Sequence, residues 1–591
     1  MNPDDDKSSS VQEESNRQGV EESPEVNDPL LAPYHRTAAQ IEKMPIIEMT
    51  KTICPECKLI IDGTIYKDGD IVMIRKTCPE HGQTVEKYWE DYDLYMKMRK
   101  YNYEGRGLDN PDYADDGKNC PFDCGICERH KSHSGLINVV VTNRCHLSCF
   151  YCFFYAKDGE PIYEPTIDEL DKMFVKLRSQ KPIASNAIQL TGGEPTLRND
   201  LPEIVKRAKQ AGFDQIQLNT TGIELGFDPK LLLKLRHEGL STLYMSFDGV
   251  SARTNPKNHW EVPLAISAAR KAGVGIVLVP TVIRTMNDHD LGSIINFALN
   301  NIDVVRAINF QPVSMVGRMP ARQREKQRIT VPGAIKLIEQ QTHGIISKDD
   351  WFSVPYTGAI NKFLEALTGE YKYDLSTHFA CGAGTYLFLD KDDKVIPITR
   401  FVDAAGLAEH LEGFANELEG KSKLERKLVA VKAFAGIGKF IDKEKQPKAV
   451  NFAKILTKIL TKHDFKSIGD LQMKTLFLGM MHFQDEYNYD IKRVEKCEVH
   501  YTLPDGRVIP FCTFNVIPEL YRDKAQREYA IPAAEWGATH QGWSYAKEKY
   551  KRNINDLVAK DEYKQAYGNL TDYFSLPVNR PELLEENREE Y

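Results

Sequence analysis

Apolar residues along this chain fall into short runs separated by longer, helix-length stretches. The run Leu136-Ile-Asn-Val-Val-Val-Thr142 reads as a buried strand. Similar runs follow at Asn186–Leu190, Gln215–Asn219, Thr242–Phe247, Gly275–Pro280 and Ala307–Gln311, a rhythm that predicts β–α units and a parallel sheet. Upstream, Thr64-Ile-Tyr66 and Ile71-Val-Met-Ile74 alternate as a small β-ribbon would. Downstream, Tyr386–Ile398 and Tyr501–Cys512 place Asp-Asp and Asp-Gly turns between apolar strands and read as two versions of one hairpin. Between those hairpins Leu424, Leu428 and Val431, then Phe452, Ile455, Leu456, Ile459 and Leu460, recur at helical spacing, with Gly436 and Gly438 dividing two helices. The first 30 residues show neither period; nine acidic and two basic side chains with few large apolar groups predict a disordered tail over 1–35.

Cysteine spacing changes this outline into chemistry. Directly after the first strand comes Cys145-His-Leu-Ser-Cys149-Phe-Tyr-Cys152. Three thiolates so spaced can ligate three irons of a 4Fe–4S cube and leave the fourth iron open, whereas a zinc site is normally closed by four ligands. The second strand ends in Thr191-Gly192-Gly193-Glu194-Pro195, where glycines permit close backbone approach and a carboxylate suits a cation. The two elements together resemble the signature of the radical SAM superfamily, in which the open iron chelates S-adenosylmethionine (SAM). That resemblance implies an α/β fold, a partial (β/α)6 barrel over 135–320. It also implies that Tyr151, Gly192, Gly193 and Glu194 bind the cofactor, with Asn219 and Ser246 as candidates for its ribose or carboxylate. Asn219, Thr220, Ser246, Asp248, Thr281 and Arg284 lie at strand C-terminal ends, where chemistry collects in parallel βα architectures.

The remaining cysteines form three sets. Cys54-Pro-Glu-Cys57 and Cys78-Pro-Glu-His81 are two knuckles on the ribbon (46–100), a Cys3His set for one mononuclear ion, zinc or iron. Cys120-Pro-Phe-Asp-Cys124-Gly-Ile-Cys127 repeats the cluster spacing without a glycine-rich partner of its own and predicts an auxiliary 4Fe–4S knuckle over 110–134. Its fourth ligand is open among His130, His133 and a distant Cys. Cys381, Cys497 and Cys512, with His500, form the third set, a second auxiliary cluster in the 321–591 region that would cap the barrel.

Twelve cysteines without a secretory leader point to metal sites rather than disulfides, and so to a cytoplasmic protein. A net charge of −8 argues against nucleic acid as a partner. Against that acidic background residues 421–466 carry thirteen Lys/Arg and four Asp/Glu. Basic amphipathic helices of this kind lie on anionic membrane surfaces, so a peripheral position at the inner face of the cell membrane is expected, with Lys454, Lys458 and Lys462 among the contacts.

The ribbon, the Cys120–Cys127 knuckle, the loop running into Phe153-Phe-Tyr-Ala-Lys157 and the Cys381 and Cys512 hairpins together resemble archaeal tetraether lipid synthases over about residues 45–530. Where related proteins carry a further Cys, this chain has Ser134-Gly135. The resemblance implies carbon–carbon bond formation between terminal methyl carbons of isoprenoid phospholipid chains, auxiliary clusters, and a reductant such as ferredoxin or flavodoxin. The same family is linked to methylation of a pterin precursor of tetrahydromethanopterin, the alternative activity. Residues 46–134 leave no place for an N-terminal cobalamin domain, which favours coupling. An iron–sulfur electron-transfer protein, the third class, would need no SAM pocket.

Overall fold

The computed structural model describes residues 31–111, 119–152, 154, 160–317, 319, 323–371, 373–448, 452, 475–568 and 570–576. The first 30 residues of the expected tail, most of Phe153–Lys157, and Ile455, Leu456, Ile459, Leu460, Lys454, Lys458 and Lys462 lie outside the described residues. Residues 1–43 and 44–591 are separate units. In the first, a short helix, Ala38–Glu42, starts at a capping box between Thr37 and Gln40.

The second unit begins with four antiparallel strands in sequential order: β1 (Ile46–Ile53), β2 (Ile60–Asp68), β3 (Ile71–Cys78) and β4 (Gly82–Trp89). Cys54 and Cys57 sit in the β1–β2 turn, Cys78 ends β3 and His81 lies in the β3–β4 turn, so the two hairpins bring both knuckles to one end of the ribbon.

Six strands then build the barrel: β5 (Leu136–Thr142), β6 (Ala187–Gly192), β7 (Gln215–Thr220), β8 (Thr242–Ser246), β9 (Gly275–Val279) and, after a two-residue β10 (Thr281–Val282), β11 (Val305–Pro312). Each pairs in parallel with the next. Parallel neighbours need a crossover, supplied by helices Ile167–Arg178, Leu201–Gln210, Pro229–Glu238, Val262–Ala272 and Leu291–Asn300. Their starts are written locally: Thr166 and Glu169 form a capping box, and Pro202, Pro229 and Pro263 stand in first turns, where a missing N–H costs nothing. The strand interiors carry the core, with Ile137, Val139, Ile188, Leu190, Ile216, Leu218, Leu243, Ile276 and Ile308 all fully buried. The expected α/β barrel is present.

The C-terminal region, expected over 321–591 to cap the barrel, adds strands to the barrel's sheet. Strands β12 (Phe352–Ser353), β13 (Gly382–Leu389), β14 (Val395–Pro397), β15 (Thr475–Met481), β16 (Val499–Thr502) and β17 (Val508–Pro510) extend the barrel's own sheet on both edges. β15 runs parallel to β11 and β16 parallel to β5. Both hairpins form, β13 with β14 and β16 with β17. The reason is exposed hydrogen-bonding capacity: an unclosed barrel leaves two bare strand edges, and these segments satisfy them.

Candidate active site

The cysteine loop leaves the end of β5 and is held by the end of β6, backbone to backbone. Gly193 N–H donates to Thr142 O at 2.8 Å and Glu194 N–H to Arg144 O at 2.7 Å. A Cβ on Gly192 would come within 1.9 Å of Thr142 O, and Gly192 has φ +137°. The two glycines are therefore required by the seat of the cysteine loop itself. Glu194 is fully buried, and its carboxylate accepts from Thr196 N and Oγ1, Thr220 Oγ1 and Thr221 N and Oγ1 at 2.7–3.2 Å. All five donors belong to the protein. The carboxylate that the resemblance implies for cofactor binding also ties the ends of β6 and β7 together through these threonines.

Above these strand ends lies a cavity of about 210 Å³. Cys145, Cys149, Cys152, Gly192, Gly193, Asn219 and Ser246 all line it, so the predicted set converges with the exception of Glu194. Asn219 donates to Thr191 Oγ1 at 3.1 Å, and the Ser246 carbonyl accepts from Asn258. Tyr151 also lines the cavity, and its hydroxyl donates to the Asp248 carboxylate. Lys257 completes a buried group, 2.7 Å from Asp248 Oδ2 and 2.8 Å from the Tyr151 hydroxyl. Lys257 escapes sequence reasoning because it sits on a loop, with no periodic signal. Arg284 points elsewhere, pairing with Glu90 of the ribbon segment at 2.8 Å. Burial pushes the Cys145 thiol well above its ordinary range. A metal cluster, binding sulfur as thiolate, offsets that penalty.

The floor of the cavity is polar and one wall is not. Asn138 accepts from Gln189 Nε2 at 3.0 Å, and Asn309 donates to the Tyr244 hydroxyl at 2.5 Å. Gln189 Oε1 is buried without a partner among the described residues. On the other side Phe483, Phe511 and Tyr501 stack, with Phe483 and Phe511 centroids 3.7 Å apart, and Phe154 lies tilted against Tyr501.

The other thiols resolve into distinct geometries. In the ribbon, Cys54, Cys57, Cys78 and His81 place all ligand atoms within 4.8 Å of one another, a set fit for one tetrahedral ion. Burial opposes ionisation of Cys78, yet hydrogen bonding with His81 brings its thiol down to about 6. Among the described residues, the ribbon four are the group that meets this single-ion spacing. Cys120, Cys124 and Cys127 line a small pocket docked on β17, where Ile126 N–H donates to Val508 O at 3.2 Å. Cys381, Cys497 and Cys512 come together through the sheet edges: Arg493 donates to Cys381 Sγ at 3.4 Å and Gln484 N–H to Cys512 Sγ at 3.3 Å. Arg493 is buried beside Cys381 and Cys512, while burial pushes the Cys512 thiol up to about 11 and the Cys497 thiol well above its ordinary range. The histidines weighed as cluster ligands each use one ring nitrogen within the protein, and the Nδ1 atoms of His133 and His500 have no hydrogen-bond partner among the described residues. His130 Nε2 lies 2.7 Å from Cys497 O and 3.1 Å from His500 Nε2, and His133 Nε2 lies 2.9 Å from Asp374 O. Phe154, Tyr501 and Phe511 share one apolar cluster with Cys512, against which Cys120, Cys124, Cys152 and Cys497 pack.

Residues 139–298 match the model of the radical SAM superfamily, and 46–90 that of an HMPTM N-terminal zinc ribbon domain. The chain is 42% identical over 500 residues to the 7,8-dihydro-6-hydroxymethylpterin dimethyltransferase of Methanocaldococcus jannaschii, covering 83% of this chain and 97% of that protein. A probable GTP 3',8-cyclase of Sulfurisphaera tokodaii is 30% identical over 186 residues, 30% of this chain and 57% of its own length. The crystal structure of methylornithine synthase aligns with TM-score 0.25 at 17% identity, covering 30% of this chain and 53% of that one, too slight a likeness to carry a conclusion. With a cysteine loop and glycine hinge at the mouth of a parallel barrel, and a relative matched over nearly its whole length, the chain belongs to the radical SAM superfamily, as an enzyme of the family that carries an N-terminal zinc ribbon.

Proposed function

We propose that this enzyme alkylates a carbon of a pterin-type heterocycle, with methylation of a dihydropterin as the reaction. The observation that carries the reading is the 42% identity to a pterin dimethyltransferase spanning 97% of that protein. The cavity floor supports it: Asn138, Gln189, Asn309 and Gln311 offer amide donors and acceptors, and the free Gln189 Oε1 calls for an N–H such as a pterin edge carries. In this reading Cys145, Cys149 and Cys152 hold the 4Fe–4S cluster, while Asn219 and Ser246 contact SAM. Bound together, cluster and SAM supply a 5'-deoxyadenosyl radical able to remove a hydrogen atom from carbon. The protein's share is to orient the heterocycle on its amides and exclude water with the aromatic wall. Cys120, Cys124 and Cys127, and Cys381, Cys497 and Cys512, hold auxiliary clusters, and the ribbon holds zinc.

The aromatic wall also favours a second reading, coupling of isoprenoid chains at their terminal methyl carbons. Leu147, Phe154, Val313, Met481, Phe483 and Phe511 would accept a hydrocarbon end. One anaerobic assay decides between them: reconstituted protein, SAM and reductant are offered a dihydropterin or an isoprenoid ether phospholipid, with products read by mass spectrometry. Methylated pterin is the expected result. A lipid that loses hydrogens as its chains join would replace the first reading with the second.

A further inference from the structure

The helix Lys423–Gly436 is amphipathic in an unusual sense: it has an apolar face turned inward and a second one turned outward. Val429, Ala430, Ala433 and Ile437 are buried against its neighbours. On the opposite side Leu424, Leu428 and Val431 are 72, 62 and 66% exposed. At 100° per residue these three, with exposed Ala435, fall on a single stripe. Lys423 and Lys427 border one side of it and Lys432 the other, and all three are exposed. The helix contains a single acidic residue, Glu425, whose carboxylate is occupied in the capping box with Ser422 at 2.6 and 2.9 Å.

An outward stripe of leucine and valine has no role in the core and is unfavourable in water. Rows of lysine on both flanks repel another basic surface and suit an anionic one. Lysine stems can also lie along the apolar boundary while their ammonium groups reach phosphates. Among the described residues no helix is long and apolar enough to cross a membrane, so insertion in the plane of the interface is the mode this geometry allows. We propose that the Lys423–Gly436 helix docks the enzyme on an anionic lipid bilayer, with Leu424, Leu428 and Val431 entering the headgroup–acyl boundary. This goes beyond either reading of the substrate, since a docking helix would serve a soluble or a lipid reactant.

The test is co-sedimentation of the full chain with vesicles of phosphatidylglycerol and phosphatidylcholine, compared with phosphatidylcholine alone. Binding is expected with the anionic vesicles and should weaken as salt is raised. A Leu424→Glu/Leu428→Glu variant and a Lys423→Glu/Lys427→Glu/Lys432→Glu variant should each bind about tenfold or more weakly. Both sets of side chains are exposed, so SAM cleavage should be unchanged in each variant and reports that the fold is intact. Binding at full strength in both variants overturns the proposal. So does a protein that ignores vesicles but forms a concentration-dependent dimer dissolved by Leu424→Glu/Leu428→Glu, which would assign the stripe to a second copy. Failure of the pterin assay leaves the vesicle result untouched, so the two ideas fall separately.

Discussion

Gly193 lies directly against Arg144: a Cβ on the glycine would stand 2.0 Å from the Arg144 carbonyl oxygen. The seat of the cysteine loop is thus made by backbone contact with the end of β6. Gly193→Ala is expected to push the loop outward and lower SAM-cleavage turnover by roughly 100-fold, the scale set by a misplacement of about 1 Å at a reacting centre. Turnover within a factor of two of the parent would show that the loop tolerates the shift.

Glu194 acts on the same seat from behind. Glu194→Gln keeps the shape but turns one acceptor into a donor facing either Thr196 and Thr220 or Thr221, which already donate. The mismatch should cost about 1–3 kcal/mol of stability. Thermal unfolding should show a lower midpoint, and SAM should bind less tightly to the variant.

Asp485 joins three parts of the molecule. Its carboxylate takes Arg328 at 2.7 and 3.0 Å and the Met315 amide at 2.9 Å, while Arg328 also reaches Glu86 of the ribbon at 3.2 Å. Burial alone would raise the Asp485 carboxyl, but the Arg328 guanidinium outweighs it and holds the value down to about 2. A folded value below the ordinary one means that this stabilisation is complete above about pH 4 and is lost as pH falls through about 2. Asp485→Asn leaves Arg328 buried with less charge to meet it and should destabilise by about 3–5 kcal/mol, while flattening the acid limb of the stability profile. Equal acid sensitivity in variant and parent would remove Asp485 as the cause.

The ribbon ion is separable from the iron. Cys57→Ser should lose one equivalent of zinc without changing the iron bound, because the four ribbon ligands stand apart from the barrel's thiols. Cys149→Ala should do the reverse, abolishing SAM cleavage with zinc retained. Metal analysis of the two variants side by side checks both, and coupled loss of zinc and iron in either would contradict separate sites.

Local chemistry was legible without a structure. Thiol spacing names the kind of centre because ligand geometry is set by a few neighbouring residues, as at Cys54–His81 and Cys145–Cys152. Strand and helix rhythm showed the barrel because burial imposes its period on each segment separately. Even the two C-terminal hairpins were readable from their turns. Tertiary structure alone decided what lies far apart in sequence: β15 and β16 closing opposite edges of one sheet, Lys257 turning toward Tyr151 and Asp248, and Arg493 standing beside Cys381 and Cys512. It also decided that Glu194 spends its acceptors on Thr196, Thr220 and Thr221. A residue's type states what it can bond, but which partner reaches it first depends on how sheet edges and loops pack, and that is a property of the whole chain.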